Sequence, residues 1–284
     1  MMPPLETADT ASIEAVLVRH NHRGMDGVRR YLTSGYLSRA AELIAECSGR
    51  VYIVTGFPVA GTFETDGPAG AMALYRLCEQ WDLMPTILSE PALTQALSTQ
   101  FRCLDLAAGS LQEATETVKQ LYSDAPPDLF ISIERPGAAE DGRYYNMAGR
   151  DISENCARAE PYLELAPCPT IAIGDGGNEL GMGTAMKALA SLSVRPAVSR
   201  CDELIVADVS NWAAYALCAV SYSFRGVSPN IGADIRRDLG YLVQAGAVDG
   251  VTGQPTPTED GFAEGAGNEL LEEIISMLSG EELS

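Results

Sequence analysis

Positive charge is scarce in this chain, and lysine is almost absent from it. Only Lys119 and Lys187 are lysines among 284 residues, and 19 basic side chains stand against 39 aspartates and glutamates. The formal net charge is −20 at pH 7, and the sequence pI is about 4.4. Such a surface repels nucleic-acid phosphates and anionic membranes, so we predict neither as a partner. An anionic small molecule would need a local arginine or a metal cation.

Residues that form disulfides or zinc sites are also few. The seven cysteines are an odd number and include no CxxC pair. This pattern is typical of neither a disulfide framework nor a zinc site, so we predict free, mostly buried thiols. The two histidines, His20 and His22, stand in RHNHRGMDG without a third ligand nearby, and we predict a solvated loop there.

Long hydrophobic runs are missing as well. No apolar run approaches the length of a membrane span, and the first ten residues, MMPPLETADT, are acidic. We therefore predict a cytoplasmic protein without a transmembrane segment, signal peptide or transit peptide. The hydrophobic content of 46% and the mean hydropathy of +0.01 are ordinary for a globular chain.

The chain does contain a repeated alternation of short apolar runs, glycine-bearing turns and helical patterns. Apolar runs without polar alternation are typical of strands covered on both faces, and strands that alternate with helices indicate a parallel sheet. We place strands at residues 50–56, 84–89, 128–137, 169–177 and 202–211. The predicted fold class is α/β, with a three-layer, doubly wound, mostly parallel sheet and helices on both faces.

Helical patterns fill most of the remaining chain. We place helices at residues 12–20, 27–47, 71–81, 90–101, 178–192, 212–224, 236–248 and 269–279, and another that begins at Ser153. No repeat or low-complexity linker interrupts the chain. We therefore predict a single α/β domain over residues 1–284, with N-terminal helices at 10–48, a β/α core at 50–225 and a helical and loop extension at 226–284.

The segment IAIGDGGNELGMG places five glycines and two carboxylates directly after a predicted buried strand. Ligands of open parallel sheets bind at the carboxyl ends of the strands. Asp175 and Glu179 are therefore candidates for a general acid and base, or for metal ligands. All five glycines, which include Gly181 and Gly183, can offer backbone N–H groups to an anion near a helix N-terminus. Gly174, Gly176 and Gly177 are the candidates to bind a substrate. Alternatively, Asp175 caps the following helix and the glycines only permit tight packing.

Polar residues follow the other predicted strands at the same edge of the sheet. Glu64 and Asp66 lie in FETDGP, where a cap and an Asp-Gly turn are the simplest interpretation. Arg135 in IERPG and Arg143 in DGRYYN are candidate carboxylate clamps, because a planar guanidinium donates two parallel hydrogen bonds. Solvation in a loop is the alternative for both. Asn211 in VSNW either orients a polar group or caps a helix.

Four segments, in this order and spacing, resemble the D-glutamate cyclase family, in particular its C-terminal catalytic-type domain. They are ETDGPAGAMAL, ERPGAAEDGRYYNMAGRDIS, IAIGDGGNELGMG and VSNWAAYAL. The resemblance runs from Arg23 to the last predicted helix. It implies a lyase that converts D-glutamate to 5-oxo-D-proline and water without an organic cofactor.

The resemblance also implies roles for the residues at the strand ends. The glycine-loop amides, with or without a divalent cation such as Mn²⁺ or Mg²⁺, would bind the γ-carboxyl group and its oxyanion. Asp175 and Glu179 would exchange protons or bind the metal, with Glu64 or Asp66 as a second source of carboxylate.

Further positions would hold or orient the substrate. Arg135 and Arg143 would bind its α-carboxylate, and Asn178, Tyr144 and Asn211 would orient polar groups. Two other functions stay open at this point: a module that senses an amino acid or a phosphorylated metabolite without chemistry, and a lyase or phosphate-handling enzyme that acts on another small acid. A homo-oligomer also stays open.

Overall fold

The computed structural model describes residues 10–227, 229 and 231–280. The first half of the chain contains α1 (Thr10–Leu17), α2 (Met25–Tyr31), α3 (Tyr36–Glu46), β1 (Arg50–Thr55), β2 (Pro58–Val59), β3 (Thr62–Phe63), α4 (Pro68–Gln80), β4 (Met84–Ser89), α5 (Pro91–Leu97), β5 (Cys103–Asp105) and α6 (Leu111–Asp124). The second half contains β6 (Leu129–Ile133), α7 (Glu160–Glu164), β7 (Thr170–Gly174), α8 (Met186–Leu189), β8 (Glu203–Val206), α9 (Ser210–Phe224), α10 (Gly232–Gln244) and α11 (Ala266–Ser279).

Six strands form one sheet in the order β5-β4-β1-β6-β7-β8, and every neighbouring pair in it is parallel. The predicted sheet was mostly parallel; among the named strands, antiparallel pairing is confined to the separate β2–β3 hairpin. The chain enters at β1, adds β4 and β5 on one side, and then adds β6, β7 and β8 on the other. The strand order therefore reverses between β1 and β6, which is where sheets of this kind bind ligands.

Helices cover both faces of the sheet, which confirms the three-layer α/β prediction. Val51 and Ile53 of β1 point into a core shared with α3, α4 and α9. Tyr52 and Val54, on the opposite face of the same strand, pack with residues of α6 and α7. Continuous apolar runs are required because a central strand buries both of its faces.

The sequence-based prediction lacks strand β5 and helix α6, and also the two-residue strands β2 and β3 and the five-residue α7. Strand β5 has only three residues, CLD, and lies at the sheet edge, so it carries too little apolar sequence to be recognised. Helix α6 buries only Ala114 and Val118, so its apolar stripe is narrow. A signal was nevertheless present, since Ser110 and Glu113 form a reciprocal capping box at its start.

Three of the predicted helices differ from the structure. The helix placed at 27–47 is divided into α2 and α3, because Gly35 adopts a left-handed conformation with φ 85°. Ser153–Asn155 form only a 3-10 turn. Residues 178–192 contain a 3-10 turn and the four-residue α8, because Leu180 and Gly183 donate their N–H groups to carbonyls of distant residues. No helix therefore starts at the glycine-rich loop.

The cysteines and the helix lengths complete the description. All seven cysteines are free thiols; Cys78 and Cys218 are buried, and the other five are partly exposed, which corrects the expectation that most are buried.

Within the part of the chain that the structure describes, none of the helices combines the length and the apolar composition needed to cross a bilayer.

Gly181 is a position where only glycine fits. Its φ is +95°, and an added Cβ would overlap the Cβ of Ala172 on β7. We expect Gly181→Ala to lower the free energy of unfolding by more than about 2 kcal/mol, because the backbone strain and the overlap add. Gly240 lies inside α10 with nothing within 4 Å of an added Cβ. The matched Gly240→Ala should raise the free energy of unfolding by up to about 1 kcal/mol. Denaturant unfolding measures both, and equal effects would contradict this account.

Candidate active site

A cavity of about 790 Å³ lies at the carboxyl edge of the sheet, and we call it the central cavity. Four of its lining residues directly follow strands of the six-stranded sheet: Gly56 follows β1, Glu90 follows β4, Glu134 follows β6 and Asp175 follows β7. The cavity therefore spans the point where the strand order reverses, as expected for an open parallel sheet.

Six acidic side chains meet at or beneath this cavity, and we call them the carboxylate cluster. They are Glu64, Asp66, Glu134, Asp175, Glu179 and Asp260. Two subsets have carboxylate oxygens within 4.8 Å of one another: Asp66, Asp175 and Asp260 form one, and Glu134, Asp175 and Glu179 form the other. Asp175 belongs to both, so it lies at the centre of the cluster.

Arg23 supplies positive charge to the carboxylate cluster. Its Nη1 lies 2.5 Å from Asp175 Oδ2 and 2.6 Å from Asp260 Oδ2. Burial opposes the charge on the guanidinium, but the attraction of Asp175 and Asp260 is stronger and raises the pKa of Arg23. This arginine comes from the segment between α1 and α2, far in sequence from both carboxylates.

One arginine does not neutralise the whole cluster. Burial, with the repulsion of Glu179 and Asp66, raises the pKa of Glu134 well above its ordinary value. Burial also raises the pKa of Glu64, together with repulsion from Asp260 and Asp66. For Asp175, burial raises the pKa although Arg23 opposes it. A carboxyl with a raised pKa keeps its proton to a higher pH than an ordinary carboxyl, which suits it to proton transfer.

The glycine-rich loop uses its amides internally. Gly176 and Gly177 donate their N–H groups to Glu179 Oε1 and Oε2, at 2.8 and 2.7 Å. The expected anion nest is therefore filled by the carboxylate of Glu179. The central cavity is lined neither by Glu179 nor by Gly174, Gly176 or Gly177. Burial raises the pKa of Glu179, and the bond from Gly177 works against this.

Asn178 connects this loop to the rim of the central cavity. It is buried and lines the cavity, and its Nδ2 donates to the carbonyl of Tyr145 at 2.8 Å. Its Oδ1 has no hydrogen-bond partner among the residues of the structure. A buried acceptor without a partner is costly, so this oxygen is a candidate ligand-binding atom.

Arg135 lies beneath the central cavity and does not line it. Its buried guanidinium contacts Glu90 Oε2 at 2.5 Å and donates to the carbonyls of Gly56 and Ala157. Burial opposes ionisation of Glu90, but Arg135 outweighs it and lowers the pKa of that carboxyl. Arg135, which we predicted to bind a carboxylate of the substrate, therefore pairs with the carboxylate of Glu90 instead.

Arg143 and Tyr144 also lie outside the cavity lining. Arg143 is exposed and pairs with Asp151 at 3.3 Å. The hydroxyl of Tyr144 is buried and donates to Glu160 Oε2 at 2.6 Å. Both side chains hold the long loop between β6 and α7, because their partners belong to the same loop or to the start of α7.

Asp66 and Asn211 bind the starts of two helices in a reciprocal way. The carboxylate of Asp66 accepts the N–H groups of Ser210 and Asn211, at the first turn of α9. Asn211 Oδ1 accepts those of Gly67 and Gly70 at the start of α4. Neither lines the central cavity, although Asp66 lies within the carboxylate cluster. Both side chains therefore accept hydrogen bonds from backbone N–H groups that have no partner within the first turn of a helix.

Three residues of the site were missed from the sequence: Arg23, Glu134 and Asp260. Glu134 was placed inside a strand, but β6 ends one residue before it and its φ is +43°. This strained conformation is typical of functional positions, and Ser210 Oγ donates to its Oε2 at 2.5 Å. A charged residue at the end of a buried run was the available signal. Arg23 and Asp260 arrive from opposite ends of the chain, and no local pattern marks them.

The loop that carries Asp260 is organised around Asp249. Its carboxylate accepts N–H groups from Val251, Thr252 and Gly261 and the hydroxyl of Thr258. Asp249 is fully buried and closes the loop, so Asp260 is held toward the carboxylate cluster. The C-terminal extension therefore contributes directly to the site.

The raised pKa values predict how stability depends on pH. A carboxyl whose folded pKa exceeds its unfolded value releases a proton on unfolding at intermediate pH, so stability falls as pH rises above about 4.5. Replacing Glu134 with glutamine removes one such proton. Above about pH 4.5 we expect Glu134→Gln to make the decline shallower by up to about 1.4 kcal/mol per pH unit. Urea unfolding of both proteins at several pH values measures this, and parallel pH profiles would contradict it.

Comparison with known proteins agrees with the resemblance. A family model described as D-glutamate cyclase-like, C-terminal, matches residues 13–275. The Homo sapiens protein named D-glutamate cyclase, mitochondrial, is 30% identical over 226 aligned residues, which cover 70% of this chain and 36% of the relative. The chain thus spans about a third of that protein's length. Because the match includes all the strands and every member of the carboxylate cluster, the chain belongs to the D-glutamate cyclase-like C-terminal family.

Proposed function

We propose that this protein converts D-glutamate to 5-oxo-D-proline and water in the central cavity. The observation that carries the proposal is the group of buried carboxyls with raised pKa values, Glu64, Glu134 and Asp175, which line one cavity. The family relationship supports the same reaction, since the similar human protein is named a D-glutamate cyclase.

The proton balance explains why protonated carboxyls suit this reaction. The ammonium group of glutamate must lose two protons to become an amide N–H, and the departing oxygen of the γ-carboxylate must gain two to leave as water. Nothing is oxidised, and no proton is gained or lost overall. Groups that both donate and accept protons near neutral pH can therefore carry the whole exchange.

We assign the proton exchange to Asp175 and Glu134. Both line the central cavity, and each has a carboxylate oxygen within 4.8 Å of one on the other. One group in the protonated form would donate to the departing oxygen, while the other in the ionised form would accept from the amine. Repulsion between close carboxylates favours this state with one shared proton.

Other residues of the cavity would position the substrate. The unpartnered Oδ1 of Asn178 would accept an N–H bond from the amine. Arg23 would stabilise negative charge that develops on the γ-carboxyl group, because it lies at the cavity beside Asp175. Holding amine and carboxyl in a folded pose can supply on the order of 7–11 kcal/mol of the barrier.

The carboxylate cluster also fits a divalent cation such as Mn²⁺ or Mg²⁺. Its donors are all carboxylate oxygens, which hard cations prefer, and the two overlapping subsets place three such oxygens close together. Asp175 would hold the ion with Asp66 and Asp260, or with Glu134 and Glu179; Glu64, the third predicted ligand, lines the cavity beside them. A bound cation would polarise the γ-carboxyl group.

The direct test is turnover by purified protein. We expect formation of 5-oxo-D-proline from D-glutamate, followed by chiral chromatography. Asp175→Asn and Glu134→Gln should each lower kcat by about 100-fold or more, because each removes a group that exchanges protons. Glu116→Gln, which makes the same change on the exposed face of α6, is the control and should be fully active.

Each outcome of this experiment decides something. Unchanged turnover in a folded Asp175→Asn or Glu134→Gln variant would remove that residue from the mechanism. If D-glutamate raises the melting temperature and no product forms, the protein is a binding module. If a phosphorylated acid stabilises it instead, the substrate class is wrong.

Metal dependence is tested separately. We expect treatment with EDTA to lower turnover and Mn²⁺ to restore it, and we expect Mn²⁺ alone to raise the melting temperature, because a cation relieves repulsion within the cluster. Asp175→Asn should lose most of this stabilisation, since Asp175 belongs to both subsets. Full activity after exhaustive chelation would show that the carboxyls act without a metal.

A further inference from the structure

The central cavity is lined by two cationic side chains, Arg23 and Arg150, as far as the described residues show. They differ in whether a carboxylate of the protein already pairs with them. Arg23 already contacts Asp175 and Asp260 at ion-pair distance. Arg150 is exposed, and none of the ion pairs among residues 10–227, 229 and 231–280 includes it. A chain with a net charge of −20 repels anions, so an anionic ligand of this cavity needs a local cation, and Arg150 can supply it.

Arg150 is held in place by a tight turn. Asn146 Oδ1 accepts the N–H groups of Ala148 and Arg150, and the N–H of Asn146 donates to the carbonyl of Arg150. An isolated bridge between Tyr145 and Asp151 closes the turn. The backbone at Arg150 is therefore anchored, while its side chain is exposed at the cavity rim.

The residues around Arg150 leave its guanidinium free to bind a ligand. Asp151, its neighbour in the chain, is also at the cavity but is paired with Arg143. Asn178 ties the turn to the loop after β7 by its bond to the carbonyl of Tyr145. This bond connects the turn that carries Arg150 to the loop that carries Asp175.

We propose that Arg150 binds the α-carboxylate of the substrate and thereby makes the site prefer amino acids with a free α-carboxylate to those in which it is an amide. The assignment rests on the proposed function. The γ-carboxyl must reach the buried acids Glu134 and Asp175, so the opposite end of the substrate lies toward the exposed rim. The α-carboxylate keeps its charge throughout the reaction, and a planar guanidinium can bind it with two parallel hydrogen bonds.

The test compares D-glutamate with D-isoglutamine, which has an α-carboxamide and the same γ-carboxylate. We expect Arg150→Met to lower kcat/KM for D-glutamate by about 10- to 100-fold, mainly through KM, since the contact is the same in the ground and transition states. Turnover of D-isoglutamine should change by less than about 3-fold, because a neutral amide gains little from the charge. The ratio of the two kcat/KM values is the readout.

Two variants serve as controls. Arg150→Lys keeps the charge and loses the planar fork, so it should recover part of the preference for D-glutamate. Arg236→Met removes one positive charge from an exposed position on α10, away from the cavity lining, and should leave the ratio unchanged. An equal shift in Arg236→Met would assign the effect to net charge and overturn the proposal.

Failure of the proposed function can be distinguished from failure of this inference. Isothermal titration calorimetry of both ligands gives the same ratio from Kd values, without turnover. If the wild type converts D-glutamate and Arg150→Met keeps the ratio, only the Arg150 assignment fails. If D-glutamate binds without reacting, the function fails and the Kd ratio decides the assignment. If neither ligand binds, both are wrong.

Discussion

Mutual repulsion among buried carboxyl groups is the constraint around which this structure is organised. Glu64, Glu134 and Asp175 are withdrawn from water at one cavity, and each has a raised pKa because burial and neighbouring acids penalise its ionised form. Arg23 reduces this repulsion by contacting Asp175 and Asp260. A site of this kind is costly to fold, and that cost is typical of groups kept for chemistry.

Backbone donors stabilise part of the same charge. Gly176 and Gly177 donate to Glu179, and Ser210 and Asn211 in the first turn of α9 donate to Asp66, so each of these two carboxylates accepts two backbone N–H bonds. Such bonds oppose the rise in pKa that burial causes in both carboxyls, and they fix the orientation of the side chains. The cluster therefore combines anchored carboxyls beneath the cavity with carboxyls at the cavity surface.

The two ends of the chain complete a site that the central sheet only begins. The sheet presents Glu134 and Asp175 at the ends of adjacent strands, whereas Arg23 precedes α2 and Asp260 follows α10. Asp249 fixes the loop of Asp260 by accepting four hydrogen bonds from it. Folding of the extensions and assembly of the site are consequently coupled, because Arg23 and Asp260 come from the two extensions.

The sequence by itself determined the α/β architecture, because buried parallel strands need apolar runs and such runs are visible without coordinates. It also located Asp175 and the polar loops at the carboxyl ends of the strands. The tertiary structure alone decided which residues interact. Glu179 accepts the N–H bonds of the glycine-rich loop, Arg135 pairs with Glu90, and Arg23 pairs with Asp175. Hydrogen bonds and ion pairs depend on distances of a few ångströms, and sequence order does not encode distances between residues that are far apart in the chain.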